Sequence, residues 1–354
     1  MNGAPLPRRA VRRMRPYRPP LEGRRRGLRL DFNENTVGPP AGVLEALAGL
    51  GADDVAMYPE YAPARARLAQ LFGVSPREML LTAGTDDAIH LAVDTFVDPG
   101  DEVLVVEPTY AMYRFYAERS GARVRTVRYT PQLRFPLARV LAALQRRPRL
   151  LFLASPNNPT GTMIAPVELR TVLRAAPKTV VFADEAYGEF SGTSALGWIR
   201  RHPNLIVTRT FSKARGLAGL RIGCLFTNPR FAAALGRAHS PYSVGTAAIA
   251  AALAAADDPG ATDRYVAEVR RARTLLEAAL DRLGIPRFPS GGNFVLVDVG
   301  DRATALVAGL ARRGILVRDR RADFGRAGYV RITVGTTPQT RRLIRALEEI
   351  WPRG

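Results

Sequence analysis

The chain has 354 residues, 47% of them apolar and 24% charged, and carries a formal net charge of +20. Those proportions belong to an ordinary globular protein, long enough to bury a large core and to divide into a larger and a smaller domain. Cys224 is the single cysteine and excludes an intrachain disulfide, the three histidines offer no metal-ligand spacing, and no apolar stretch approaches the ~20 residues of a membrane span, so a cytoplasmic location is expected.

In chain order, residues 1–40 form an Arg/Pro-rich arm with ten arginines from Arg8 to Arg29 and one short strand expected at Leu28 to Phe32. It reads as a wrapping segment. The basic charge invites a nucleic-acid reading, but no zinc-finger spacing, RNA-recognition signature or basic heptad region accompanies it. From about residue 78 onward, strand-length apolar runs alternate with helical periodicity, the pattern of a doubly wound sheet. Strands are expected at Met79 to Thr82, Glu102 to Val106, Arg123 to Arg128, Leu150 to Ala154, Thr179 to Ala183, Leu205 to Thr208 and Ile222 to Phe226. Helices are expected between them at Asp87 to Phe96, Ala111 to Ser120, Leu137 to Arg146 and Pro166 to Ala175, each long enough to cross one face of a parallel sheet.

After the Ala-rich stretch near Ala247, the cluster Asp257 to Ala261 reads as a turn before a long helix, Asp263 to Leu283. Strands Phe294 to Val299, Ile315 to Arg318 and Val330 to Val334 then interleave with helices Ala303 to Arg312 and Pro338 to Ile350. The expected fold class is α/β: a large domain, residues 41–256, with a mostly parallel seven-stranded sheet flanked by helices, and a smaller α+β domain, residues 257–354.

The chemistry sits just beyond the strands. The first is followed by Gly84-Thr85-Asp86, a glycine turn opening a helix whose free N–H groups suit a phosphate. Later strands lead into Tyr110, then Asn158 in a proline-flanked turn, then Asp184 and Tyr187, and finally Lys213 and Arg221. Each alone has a plain structural reading as cap, turn, strand-end charge or core filler. Parallel strands, however, open their C-terminal ends on one edge, so together these residues should surround a single crevice.

Lys213 stands out because lysine occurs only twice, at Lys178 and Lys213, in a chain that otherwise uses arginine for positive charge. Arginine cannot become a neutral amine, whereas lysine can, and can then attack a carbonyl. Lys178 lies in a polar lead-in and reads as a solvated loop charge. Lys213 ends a β-branched run.

The segments Asn157-Asn-Pro-Thr-Gly161, Asp184-Glu-Ala-Tyr187, Thr210-Phe-Ser-Lys-Ala214 and Gly219-Leu-Arg-Ile-Gly223 resemble those of fold type I pyridoxal-phosphate aminotransferases. Within them the chain is most similar to the histidinol-phosphate aminotransferases, through Pro16-Tyr17-Arg-Pro, Leu30-Asp-Phe-Asn-Glu-Asn35, Tyr58-Pro59, Pro108 to Tyr113, Gly314 to Asp319 and Val330 to Thr336. The similarity runs from residue 16 to 350.

That resemblance implies pyridoxal 5'-phosphate as cofactor, held as a Schiff base by Lys213, which then moves the proton. Asp184 would face the ring nitrogen, Tyr187 and Asn158 the ring oxygen, and Tyr110 the ring face. Gly84, Thr85, Asp86, Ser212 and Arg221 would hold the cofactor phosphate, Asp86 through its backbone N–H. The family is dimeric, so Tyr58 would reach the same phosphate from a partner subunit. Arg331 would grip a substrate carboxylate, Arg318 and Tyr17 a substrate phosphate, and the arm around Asn33 would close over the site.

The implied reaction moves an amino group between histidinol phosphate and 2-oxoglutarate in histidine biosynthesis. Three positions depart from the family pattern: Thr36, Asp87 and Arg215. Arg215 and the pair Arg320-Arg321 are expected to bear on which anionic substrate is accepted. Two other reactions use the same lysine and aspartate, namely transamination of aromatic or specialised-metabolite amino acids, and decarboxylation of threonine phosphate. A basic nucleic-acid-binding regulator is the reading from another class.

Overall fold

A strand buried on both faces reads as an unbroken apolar run, and a helix must cover each side to keep water from its backbone. The computed structural model, which describes residues 5–14, 16 and 20–351, gives this arrangement. In chain order the arm contributes β1 (Leu28–Arg29), and the large sheet contains β2 (Met79–Thr82), β3 (Glu102–Glu107), β4 (Arg123–Arg128), β5 (Leu150–Ala154), β6 (Val180–Asp184), β7 (Leu205–Thr210) and β8 (Gly223–Phe226). Their spatial order is β2-β8-β7-β6-β5-β3-β4.

The strands from β4 to β7 pair in parallel, while β8 is antiparallel to both of its neighbours, β7 and β2. Two reversals restore β2 to the common direction. Every strand but β8 therefore ends on one edge, and β8 begins there.

Alternate residues feed the two faces. Leu104, Leu151, Val181 and Val207 enter one core and Val105, Phe152, Phe182 and Ile206 the other. The outermost strand β4 is half-exposed and carries Arg123, Arg125 and Arg128, charges that discourage pairing with another edge.

A second sheet, β12-β13-β10-β9, joins β9 (Arg287–Phe288), β10 (Phe294–Asp298), β12 (Arg318–Asp319) and β13 (Tyr329–Thr333) in antiparallel fashion. It packs on the helices Pro259–Arg282, Ala303–Arg312 and Thr337–Ile350 around Leu276, Val295, Ile332 and Leu347. Leu30 of the arm, Tyr187 and Ala214 belong to that same core, so the arm and the lysine loop are packed against the second sheet.

Several expected boundaries shift for identifiable reasons. The strand expected at Ile315 to Arg318 is two pieces: β11 (Ile315–Leu316) pairs in parallel with β1, and β12 pairs with β13. The arm strand stops at Arg29 because Leu30 bridges two partners, its N–H donating to Leu316 and its carbonyl accepting from Thr333, before Asn33 turns at φ 55°. The turn cluster near Asp257 is shorter than expected. Pro259 is already helical and the Asp258 carboxylate caps Ala261 N–H at 2.9 Å, because proline suits a first helical position that needs no donor.

Candidate active site

Asp184 closes β6 and is 5% exposed. Burial pushes its carboxyl above the usual range, since a charge with little water around it is costly. Three neutral donors oppose that: Tyr113 O–H on Oδ2 at 2.6 Å, and Ala186 N–H at 2.9 Å and Thr208 O–H at 3.3 Å on Oδ1.

Lys213 lies just past β7. Its Nζ donates to the carbonyl of Phe32 at 2.9 Å and stands 5.8 Å from the centre of the Tyr187 ring. The Tyr187 hydroxyl accepts from Asn33 Nδ2 at 2.9 Å. Asn33 is fully buried in the left-handed region that asparagine tolerates. It is pinned by Thr333, whose hydroxyl accepts its N–H at 3.0 Å and donates to Oδ1 at 2.9 Å, and by Asn293 Nδ2 on its carbonyl at 3.1 Å. Asn35 Nδ2 reaches the carbonyl of Ala214 at 3.1 Å. The arm thus crosses the site as a strap bonded to the lysine loop, to Tyr187 and to the second sheet.

On the same edge, Gly84 at φ 79° leads into the helix Thr85–Phe96. The helix starts before the expected Asp87 because this glycine makes the turn. A Cβ at residue 84 would lie 2.6 Å from Arg221 Nη2, so only glycine lets the guanidinium lie over the helix start. Arg221 also donates to Ser212 Oγ at 3.3 Å, and the buried hydroxyl of Thr85 finds no hydrogen-bond partner among the described residues. Free helix N–H groups, an unused hydroxyl and a guanidinium make a cradle for a phosphate.

The Asp86 carboxylate is taken up by neighbouring side chains. It accepts from Arg221 Nη2 at 3.1 Å and from the Tyr110 hydroxyl at 2.7 Å. Asp87, the departure on the next position, braces the turn by accepting Ala83 N–H at 2.9 Å and facing His239 at 3.2 Å.

The second sheet contributes Arg331, 4% exposed and without a carboxylate in ion-pair reach among the described residues. It donates to Asn158 Oδ1 and to the carbonyl of Asp31, and its Nε has no partner. Burial, with Arg320 nearby, pushes the guanidinium below its ordinary value. An uncompensated buried cation of this kind calls for an anionic ligand. Arg318 lies across from it in the β12–β13 register, its guanidinium 5.3 Å from the Phe32 ring. Arg24 covers Phe32 at 4.1 Å and is tied to Asp31 at 2.8 Å and Glu34 at 2.7 Å.

The structure therefore brings Gly84, Thr85, Asp86, Tyr110, Ser212 and Arg221 together as a cradle, and Lys213, Tyr187, Asn33, Asn158, Arg331 and Arg318 along the strap. Asp184 lies beneath Tyr113, a turn along the helix from Tyr110. Tyr17 lies outside the described residues. Tyr58 joins neither group; it is 74% exposed and stacks on Tyr242 with ring centres 4.2 Å apart.

Arg215 corrects an expectation. It is buried against Phe72 and Phe211 and reaches Thr262 at 3.4 Å, with no contact to the substrate-side arginines. Arg321 is likewise spent on Asp319 and Thr304 at the surface, whereas Arg320 is buried and paired with Asp323 at 2.7 Å. Sequence reasoning missed Tyr113, Thr208, Thr333 and Asn293. Tyr113 carried a signal, three residues after Tyr110 on one helical face. The others carried none.

Comparison with known proteins follows the same lines. The family Aminotransferase class I and II matches residues 25–347. The chain is 41% identical to a histidinol-phosphate aminotransferase of Symbiobacterium thermophilum, over 96% of this chain and 97% of the relative. It superposes with a TM-score of 0.82 on the histidinol-phosphate aminotransferase of Sinorhizobium meliloti solved with pyridoxal-5'-phosphate, at 28% identity over 91% and 90% of the two chains. L-threonine-O-3-phosphate decarboxylase of Porphyromonas gingivalis superposes at 0.79, with 26% identity over 90% of this chain and 98% of the other.

Proposed function

This chain belongs to the class I and II aminotransferases, and from that premise we propose that it exchanges an amino group between glutamate and imidazole-acetol phosphate, giving 2-oxoglutarate and histidinol phosphate in histidine biosynthesis. Its cofactor is pyridoxal 5'-phosphate. The observation that carries this reading is the shared edge on which a lysine amine, a buried carboxylate and a phosphate cradle meet. The choice of substrate is supported by the 41% identical relative.

The residues fit the cofactor. The unused Thr85 hydroxyl, the glycine-made space under Arg221 and the open N-terminus of the helix Thr85–Phe96 suit its phosphate. When bound, pyridoxal phosphate supplies an electrophilic carbon for amines and a protonated ring that draws off the charge left when a substrate proton departs. Asp184 would keep the ring nitrogen protonated, Tyr187 and Asn158 would bind the ring oxygen, and Tyr110 would cover the ring. Lys213, whose amine donates to the Phe32 carbonyl, would hold the cofactor and would carry the substrate proton. Arg331 binds the carboxylate of glutamate or 2-oxoglutarate bidentately. Arg318, with Tyr17, binds the phosphate of histidinol phosphate. The strap around Asn33 excludes water from these groups.

Residues 41–256 form the cofactor domain in this reading, residues 257–354 the smaller one, and the protein works in the cytoplasm as a homodimer. The exposed Tyr58–Tyr242 pair supports the dimer: an aromatic pair left in water by one subunit suits a neighbouring one, and Tyr58 of the partner subunit then reaches the cradle.

A single turnover tests the substrate. Cofactor-loaded protein mixed with histidinol phosphate or glutamate should change its visible spectrum to that of the amino form of the cofactor. No change with histidinol phosphate, together with conversion by phenylalanine, would overturn the assignment. The likeness to the threonine-phosphate decarboxylase motivates a second reading, which release of carbon dioxide from threonine phosphate would establish.

A further inference from the structure

We propose that Tyr113 is a positioning residue for Asp184, holding its carboxylate ionised and oriented toward the ring nitrogen of the cofactor; the inference rests on the cofactor reading above. The geometry is specific. Tyr113 lies in the helix Ala111–Ser120, is 1% exposed, and donates its hydroxyl to Asp184 Oδ2 at 2.6 Å. The other two donors, Ala186 N–H and Thr208 O–H, both reach Oδ1. Tyr113 is therefore the only described residue that hydrogen-bonds Oδ2.

No arginine, lysine or histidine forms an ion pair with Asp184 among the described residues. Its charge is sustained by neutral donors alone, so each donor counts for more than it would beside a cation. Burial and the adjacent carboxylate push the phenol of Tyr113 well above its ordinary value, so it stays protonated and always donates. Its ring is fixed as well. It stacks on Phe152 of β5 with centres 4.8 Å apart and planes at 10°, and meets Tyr110 edge-on at 5.8 Å.

The arrangement divides the labour of one helix start. Tyr110, just before the first turn, faces the cradle through Asp86, and Tyr113 within that turn faces the carboxylate beneath. A shift of this helix would move both contacts together. The Tyr113 hydroxyl has Asp184 as its hydrogen-bond partner, and the ring accounts for the packing. Tyr113→Phe removes the first and keeps the second.

The test compares two ligands on full-length protein freed of cofactor: pyridoxal phosphate, and its 1-deaza analogue, in which a C–H replaces the ring nitrogen. Tyr113→Phe should weaken pyridoxal phosphate binding about tenfold while changing analogue binding by no more than about twofold, since a hydrogen bond to a charged group is lost only where the ring nitrogen uses it. Equal losses for both ligands would make Tyr113 a packing residue and overturn the proposal, as would no loss for either. Failure of the wild-type protein to bind pyridoxal phosphate at all would overturn the cofactor reading itself. Should the phenylalanine variant not fold, replacement of Tyr113 by 3-fluorotyrosine, a stronger donor, should raise the preference for pyridoxal phosphate over the analogue; an unchanged preference overturns the proposal.

Discussion

Arg221 and Arg331 are both placed to receive an anion, and they are prepared for it in opposite ways. The Arg221 side chain is 47% exposed and already paired with Asp86 at 3.1 Å, with weaker contacts to the Ser212 hydroxyl and the Ala218 carbonyl. Arg331 is buried, lacks a carboxylate partner and is held by an amide and a carbonyl. A half-exposed ion pair such as Arg221–Asp86 is worth about 1 kcal/mol or less, so a phosphate dianion displaces the carboxylate at little cost. A buried cation gains much more from an arriving carboxylate, which relieves a standing desolvation penalty.

The largest expected effect lies where neither arginine can help. Lys213→Arg should leave a folded protein with both anion sites intact, but with no lysine-linked cofactor absorbance and turnover reduced by roughly 10^4, the scale of a lost proton carrier. Lys178→Arg should be silent in the same spectrum.

Next is Arg331→Gln, which should lower kcat/KM for glutamate by about 100-fold, the scale of a lost buried charge contact. Cofactor affinity, read by titrating cofactor-free protein, should stay unchanged. Loss of cofactor in this variant would erase the distinction between the two arginines.

Gly84→Ala should do the reverse. The added Cβ meets Arg221 Nη2 at 2.6 Å and the residue sits at φ 79°, so cofactor affinity should fall about tenfold, a strain of about 1–2 kcal/mol. Kinetics at saturating cofactor should remain near wild type.

The smallest effect has the opposite sign. Asp86→Asn frees Arg221 of its counter-ion, and cofactor affinity should rise by about two- to threefold. A fall instead would mean that Asp86 serves the cradle as a structural acceptor for Tyr110 more than it competes with phosphate.

The large sheet was legible because strands such as Leu150–Ala154 and Val180–Asp184 are buried on both faces and leave continuous apolar runs in the chain. The cradle and Lys213 were legible for a related reason: their residues lie immediately beyond those runs. The arm was not. Its contacts to Lys213 and Arg331 are made by the carbonyls of Phe32 and Asp31, which any residue supplies. The hold of Tyr113 on Asp184 depends on how the helix Ala111–Ser120 is phased against a sheet in which β3, β5 and β6 are neighbours. A run of letters does not carry that phase. Arg215 was misread because its charge suggested an anionic substrate, whereas its environment is two aromatic rings.

The reversed strand β8 has one more consequence. Lys213 follows β7 and Arg221 precedes β8, and these two strands are locked together in register from Val207 opposite Phe226 to Thr210 opposite Gly223. The amine and the guanidinium are therefore two points on one clasp, and their separation is a property of a single antiparallel pair. Arg331 belongs to a different sheet. Any adjustment of one sheet against the other changes the reach from the amine to Arg331, while the span from the amine to Arg221 keeps its length.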